Sequence, residues 1–113
     1  MPDDAISQAV HTIPFDPAAQ RDAGARVTTK LWYSDPDGAF RSGFWAAQPG
    51  KAEINYTKDE LCMLLEGVVR LTATDGTAAT YRAGDTFIIP KGFKGTWETL
   101  EPVRKFFATY TKV

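Results

Sequence analysis

Glu60 and Cys62 stand two residues apart in the run Glu60-Leu61-Cys62-Met63-Leu64-Leu65-Glu66-Gly67. Alternate residues of a strand share a face. The carboxylate, the thiol and Leu64 therefore fall on one side, and Leu61, Met63 and Leu65 on the other. An interior carboxylate can accept hydrogen bonds from a ligand amine or amide, or accept a proton, and desolvation raises its pKa toward the range useful for acid–base work. The same residue can instead pair with a cation such as Arg70, or sit at a wet rim. Cys62 would need a partner base or a lowered pKa to act as a nucleophile. A neighbouring carboxylate works the other way, so Cys62 reads as a buried, inert thiol. The chain has one histidine, His11, in a segment expected to be peripheral. Three-histidine metal sites and serine–histidine catalysis cannot be built within one such chain.

The rule of two also joins Ile54 with Tyr56, and Gly95 with Trp97 and Thr99. Tyr56 and Trp97 could form an aromatic wall with polar handles, the alternative being ordinary packing. Lys91 and Lys94 bracket Phe93 in a glycine-rich loop. They could meet an anion at the mouth of a barrel, or lie in solvent. Arg41 and Arg104 are further cations that a carboxylate ligand could use. Asp85 after Gly84 is expected to cap a turn. No phosphate-cradling glycine pattern occurs.

The elements that must carry these residues read as strands. β-Branched, aromatic and apolar runs cover 27–33, 39–47, 52–57, 60–65, 68–74, 77–82, 86–89, 96–100 and 103–111. Turn chemistry separates them, as in Ser34-Asp35-Pro36-Asp37-Gly38, Asp75-Gly76 and Ala83-Gly84-Asp85. Turns every 8 to 12 residues or so indicate an all-β sandwich or barrel. No window carries a helical apolar period. Prolines 2, 14 and 17 interrupt the first 26 residues, which are expected to form an arm ahead of a barrel spanning 27–113.

The 113 residues suit one domain. Thirteen basic against fourteen acidic groups give a net charge of −1, which argues against a nucleic-acid partner. No apolar run is long enough to span a membrane as a helix. The acidic start does not read as a signal peptide, and one cysteine excludes an internal disulfide, so a cytoplasmic location is expected.

The run from Glu60 to Gly67 resembles the E-x6-G portion of the first cupin motif. Gly84-Asp85-Thr86-Phe87-Ile88-Ile89-Pro90-Lys91-Gly92 resembles the G-x5-P-x-G opening of the second. More closely, residues 40–103 resemble the small DUF861-like cupins grouped with the cupin domain of (S)-ureidoglycine aminohydrolase. That likeness rests on Gly43-Phe44-Trp45, Asp59-Glu60-Leu61-Cys62, Ala83-Gly84-Asp85, Ile89-Pro90-Lys91-Gly92 through Trp97-Glu98, and Glu101-Pro102-Val103-Arg104-Lys105. It implies a cupin double-stranded β-helix, a jelly-roll barrel, commonly dimeric, with a site inside.

In that register Glu60, Cys62, Tyr56 and Trp97 line the cavity. Metal-binding cupins use three histidines and a glutamate. Here the histidine-pair positions fall on Ile54 and Tyr56, or in the alternative spacing on Glu53 and Asn55, and the late histidine falls on Gly95. Only Glu60 survives, so no metal or other cofactor is expected. The outward apolar set of Leu61, Met63 and Leu65 calls for cover, by a second copy in a homodimer or by the N-terminal arm. The leading expectation is a cupin that binds a small polar organic molecule, with Glu60 as its polar anchor. The alternatives are an enzyme similar to ureidoglycine aminohydrolase, acting on an amide, ureide or amine, and a non-catalytic structural or regulatory protein.

Overall fold

The computed structural model describes residues 13–15 and 26–111. The described elements are all strands: β1 (Val27–Ser34), β2 (Phe40–Ala47), β3 (Gly50–Asn55), β4 (Asp59–Ala73), β5 (Ala78–Arg82), β6 (Thr86–Ile89) and β7 (Lys94–Tyr110). Every pairing among them is antiparallel. The hydrogen-bonded path runs β1-β2-β7-β4-β5, with β3 also on β7 and β6 also on β4. No helix among the described residues is long and apolar enough to cross a membrane. His11 and most of the expected arm lie outside the described residues.

The sequence reading breaks the chain at 66–67 and again at 101–102. In the structure β4 and β7 run straight through both points and pair with each other from Asp59↔Tyr110 to Ala73↔Gly95. The punctuation is real, but it marks a bulge instead of a strand end. The ladder shifts register between Leu64 and Glu66, between Glu66 and Val68, and again between Val68 and Val69. Pro102 has no β4 partner in this ladder, which is where a residue lacking an N–H is tolerated.

The bulge also changes which residues face inward. Before it, Glu60, Cys62 and Leu64 are buried; after it, Val69 and Leu71 are. An extra residue inverts the alternation of a strand. On β7 the inward positions stay odd-numbered throughout, from Trp97 and Thr99 to Val103 and Lys105. One continuous core results, with Cys62, Leu64, Val69, Leu71, Trp97 and Val103 at its centre.

The outer face carries Phe44 and Phe106, and Phe15 lies on it. The Phe15 ring is 3.4 Å from that of Phe106 and 5.1 Å from that of Phe44, centre to centre. The Trp32 indole N–H donates to the Pro14 carbonyl at 3.0 Å, fixing this short segment in place. Beyond Phe15 the same face stays open: Leu61, Met63 and Ile88 are 44, 39 and 66% exposed.

Candidate functional site

The inward face of β7 places a lysine in the interior. Lys105 is flanked on that face by Val103 and Phe107, and its side chain is almost wholly buried. Its ammonium donates to Glu60 Oε2 at 2.5 Å and approaches Cys62 Sγ at 3.6 Å. The Cys62 thiol donates to the same Glu60 oxygen at 3.0 Å. Two indoles enclose the ammonium, which lies 4.5 Å from the Trp97 ring centre and 5.0 Å from that of Trp45. The two rings meet edge to face at 5.3 Å. Contacts of this kind with Trp faces favour a cation by up to about 2 kcal/mol when desolvated. Glu60 is therefore not an isolated carboxylate. It is half of a buried ion pair, set between two aromatic rings.

Tyr56 and Trp97 join this group. The loop after β6 latches onto the end of β3: the Tyr56 N–H donates to the Phe93 carbonyl at 2.9 Å, and the Gly92 N–H donates to the Tyr56 carbonyl at 2.7 Å. This holds the phenol against Glu60. The Trp97 indole N–H is satisfied by Thr99 Oγ1 at 2.9 Å. An open cavity of about 390 Å³ lies over the group, walled by Tyr56, Glu60, Lys105, Trp45, Trp97 and Ile54 among others. A second hollow, which also reaches Tyr56 and Glu60, adjoins it.

The other sequence candidates fall elsewhere. Cys62 is wholly buried beneath the cavity wall and meets the cavity only through Glu60 and Lys105. Lys91 and Lys94 are exposed. Lys91 offers its backbone N–H to Asp59 Oδ1 at 2.8 Å, and Lys94 borders a separate hollow beside Glu53. Arg70 is not the partner of Glu60; it faces Glu98 at 3.9 Å. Arg104 points outward to Glu66 at 3.1 Å and cannot reach the cavity. Arg41 borders the adjoining hollow. Asp85 closes its turn by accepting the Arg82 N–H at 2.9 Å.

Lys105 is the residue that sequence reasoning missed. Beside Arg104 it looks like half of a surface charge pair. The signal was its parity with Val103 and Phe107, which puts it on the apolar side of the strand.

The residues do not fit the metal quartet of the cupin motifs. Ile54 and Tyr56 face the cavity, whereas the alternative pair, Glu53 and Asn55, is exposed. Isoleucine offers no donor atom. A Cβ at position 95 would stand 2.0 Å from the Thr72 carbonyl oxygen, so a side chain there requires β4 to move. The carboxylate that would serve as the fourth ligand already holds an ammonium. Among the described residues no three of His, Cys, Asp and Glu converge as a donor set.

Burial, chiefly, pushes the Cys62 thiol up to about 12, with Lys105 partly opposing and Glu60 adding to the shift. Burial also raises Tyr56 well above the ordinary phenol range, helped by the Glu60 charge. Both groups lose their protons in the unfolded chain first, so unfolding releases protons once the pH exceeds about 9. Stability should be flat from pH 7 to 8.5. Above pH 9 it should fall by up to about 1.4 kcal/mol per pH unit, and more steeply once tyrosine titrates in the unfolded chain. Urea melts at pH 8, 9.5 and 10.5 measure this. Cys62→Ala and Tyr56→Phe should each flatten the decline, and an unchanged slope in both would contradict the assignment.

A family model described as the EutQ-like cupin domain matches residues 34–107. Among solved structures, a protein assigned as ethanolamine utilization protein Q (EutQ) from Salmonella typhimurium LT2 is 26% identical, with 74% of this chain and 68% of that chain covered and a TM-score of 0.67. A DUF861 family protein from Thermotoga maritima is 36% identical, with 57% and 73% covered and a TM-score of 0.56. The EutQ protein of Clostridium difficile, at 21% identity, 74% and 67% coverage and a TM-score of 0.66, supports the fold alone. No curated protein matches. None of these likenesses is to a ureidoglycine aminohydrolase.

Proposed function

The chain belongs to the EutQ-like cupin domain family and has the cupin jelly-roll fold, and we propose that it binds a small polar organic molecule over the Glu60–Lys105 pair. One observation carries this reading: a buried ion pair forms the floor of an open cavity with aromatic walls. Burying two charges is expensive, and hydrophobic residues of similar volume often serve stability as well or better. A cavity of this size is in the range of metabolite sites, where a few convergent polar groups fix orientation and apolar walls supply contact. Tyr56 and Glu60 are the polar handles a ligand would meet, and Trp45 and Trp97 the walls. A reduced, buried Cys62 suits the cytosol.

A thermal-shift screen with ureides, amines, sugars and carboxylates, followed by calorimetry, tests the reading. A genuine ligand should lose about tenfold or more in affinity in Tyr56→Phe and in Glu60→Gln, each first shown to be folded. Hits that bind both variants normally would remove the site. The reading as a ureide- or amide-processing enzyme shares this cavity but lacks support from the donor set at positions 54, 56 and 95.

The same proposal includes a homodimer closed over the exposed strip of Leu61, Met63 and Ile88. Light scattering should give a dimer for the native chain and a monomer for Ile88→Lys. A native monomer at high concentration would end that part of the reading.

A further inference from the structure

The chain as a whole is nearly balanced in charge, with fourteen acidic and thirteen basic residues. The two adjoining cavities are not. Arg26, Lys51 and Lys105 border the larger one and Arg41 and Lys58 the other, and among the described residues the one acidic residue on either wall is Glu60. Glu60 is already neutralised by Lys105. Lys51 is opposed across the ladder by Glu98. What is left at the mouths is net positive, facing walls of Trp45, Trp97 and Ile54.

Arg26 is the best placed of these cations. Its Nη2 donates to the Pro49 carbonyl at 2.8 Å, which ties the guanidinium to the turn between β2 and β3. It lies against Gly50 so closely that a Cβ there would come within 2.6 Å of Nη2. The turn is held in its own right, because the Gln48 N–H donates to the Arg26 carbonyl at 2.9 Å. No carboxylate among the described residues pairs with Arg26. The result is a pre-positioned guanidinium with most of its donors unused, at the rim of an apolar-walled cavity. A guanidinium fork matches a planar carboxylate with two parallel hydrogen bonds.

Resting on the binding reading above, we propose that the ligand is a small organic carboxylate: Arg26 receives its anionic group at the rim, and its body lies along Trp45 and Trp97 toward Tyr56 and Glu60. Among the described residues, a cationic ligand would meet no free carboxylate on either wall. A bare inorganic anion would leave the aromatic walls unused.

The test uses three acids, propionate, benzoate and indole-3-acetate, each beside its neutral amide. Binding is followed by calorimetry and by tryptophan emission. In a second measurement, iodide and caesium quenching is compared in ligand-free Trp32→Phe protein, where emission comes from Trp45 and Trp97. The proposal expects at least one acid to bind about tenfold or more tightly than its amide. That preference should weaken with salt and disappear in Arg26→Gln while the amide binds as before. It also expects iodide to quench more strongly than caesium, by a margin that shrinks in Arg26→Gln. Amides binding as well as their acids would overturn the anion assignment and leave the binding reading standing. A preference undiminished in Arg26→Gln would overturn the role of Arg26. If iodide quenches better than caesium yet no probe binds, the carboxylate assignment fails, while the binding reading is decided by the wider screen.

Discussion

Lys105→Met should destabilise the protein by about 3–5 kcal/mol, because removing one member of a buried ion pair strands the other without a counter-charge. In a domain of this size that is a fall in Tm of roughly 12–20 °C. The size of the effect follows from the geometry. Both side chains are almost fully buried, so solvent offers Glu60 little relief once the ammonium is gone. The two indoles lose their cation at the same time. Glu60→Gln strands the opposite charge and should cost a similar amount, moderated because an amide can still accept from Lys105. The double variant Glu60→Gln/Lys105→Met leaves no unpaired charge. It should recover most of the loss, ending no more than about 1–2 kcal/mol below the native chain, so the coupling read from the cycle should be about 4 kcal/mol or more. Thermal melts of the four proteins at pH 7 decide it. If the two single losses simply add in the double variant, the pair is not acting as a unit. If the double variant is as stable as the native chain but no longer binds ligand, the pair is kept for the site and not for the fold.

That Glu60 and Cys62 share a face was legible from the two-residue period, but which face points inward came from the cupin resemblance, because the apolar residues of this run fall on both sides. The tightness of the Asp85 turn was legible too, since glycine followed by aspartate has its own local hydrogen-bond chemistry. Pairing is a different matter. Lys105 and Glu60 are 45 residues apart and meet through a long β4–β7 ladder. Nothing local to either residue says which strand lies beside which. Arg70 looked equally available to Glu60, being only ten residues away on the same strand. The parity change at the bulge puts it outside, opposite Glu98. The same bulge explains why β4 and β7 read as four short strands. A glycine and a proline mark a strand end and a bulge with the same letters, and only the partner strand distinguishes them. Arg26 was hidden for a related reason. It lies at the edge of a poorly patterned lead-in, and its place at the cavity comes from the Pro49 carbonyl on another strand's turn.

Because the bulge sets which side chains enter the cavity, Gly67→Ala should be among the most damaging single substitutions in the chain. Gly67 has φ of +94°, a region that side chains disfavour by roughly 1–2 kcal/mol. Space is the larger problem. A Cβ there would stand 2.3 Å from the Pro102 carbonyl oxygen and 2.6 Å from the Val103 Cα, both backbone atoms of the partner strand. Neither can rotate away as a flexible side chain could. Relief requires β4 and β7 to part at the bulge, or the extra residue to be expelled. Expulsion would return Val69 and Leu71 to the outer face or turn Glu60 and Cys62 outward. The expected loss exceeds about 4 kcal/mol, enough to lower Tm by about 15 °C or more or to prevent folding. Gly76 is the matched control, with φ of +92° and nothing within 4 Å of its would-be Cβ. Gly76→Ala bears the conformational cost alone and should lose no more than about 1–2 kcal/mol. Parallel urea melts, or soluble yield if Gly67→Ala does not fold, separate the two contributions. Equal losses in both variants would mean that the close approach of β4 and β7 at the bulge costs nothing, and that the bulge does not fix the inward set.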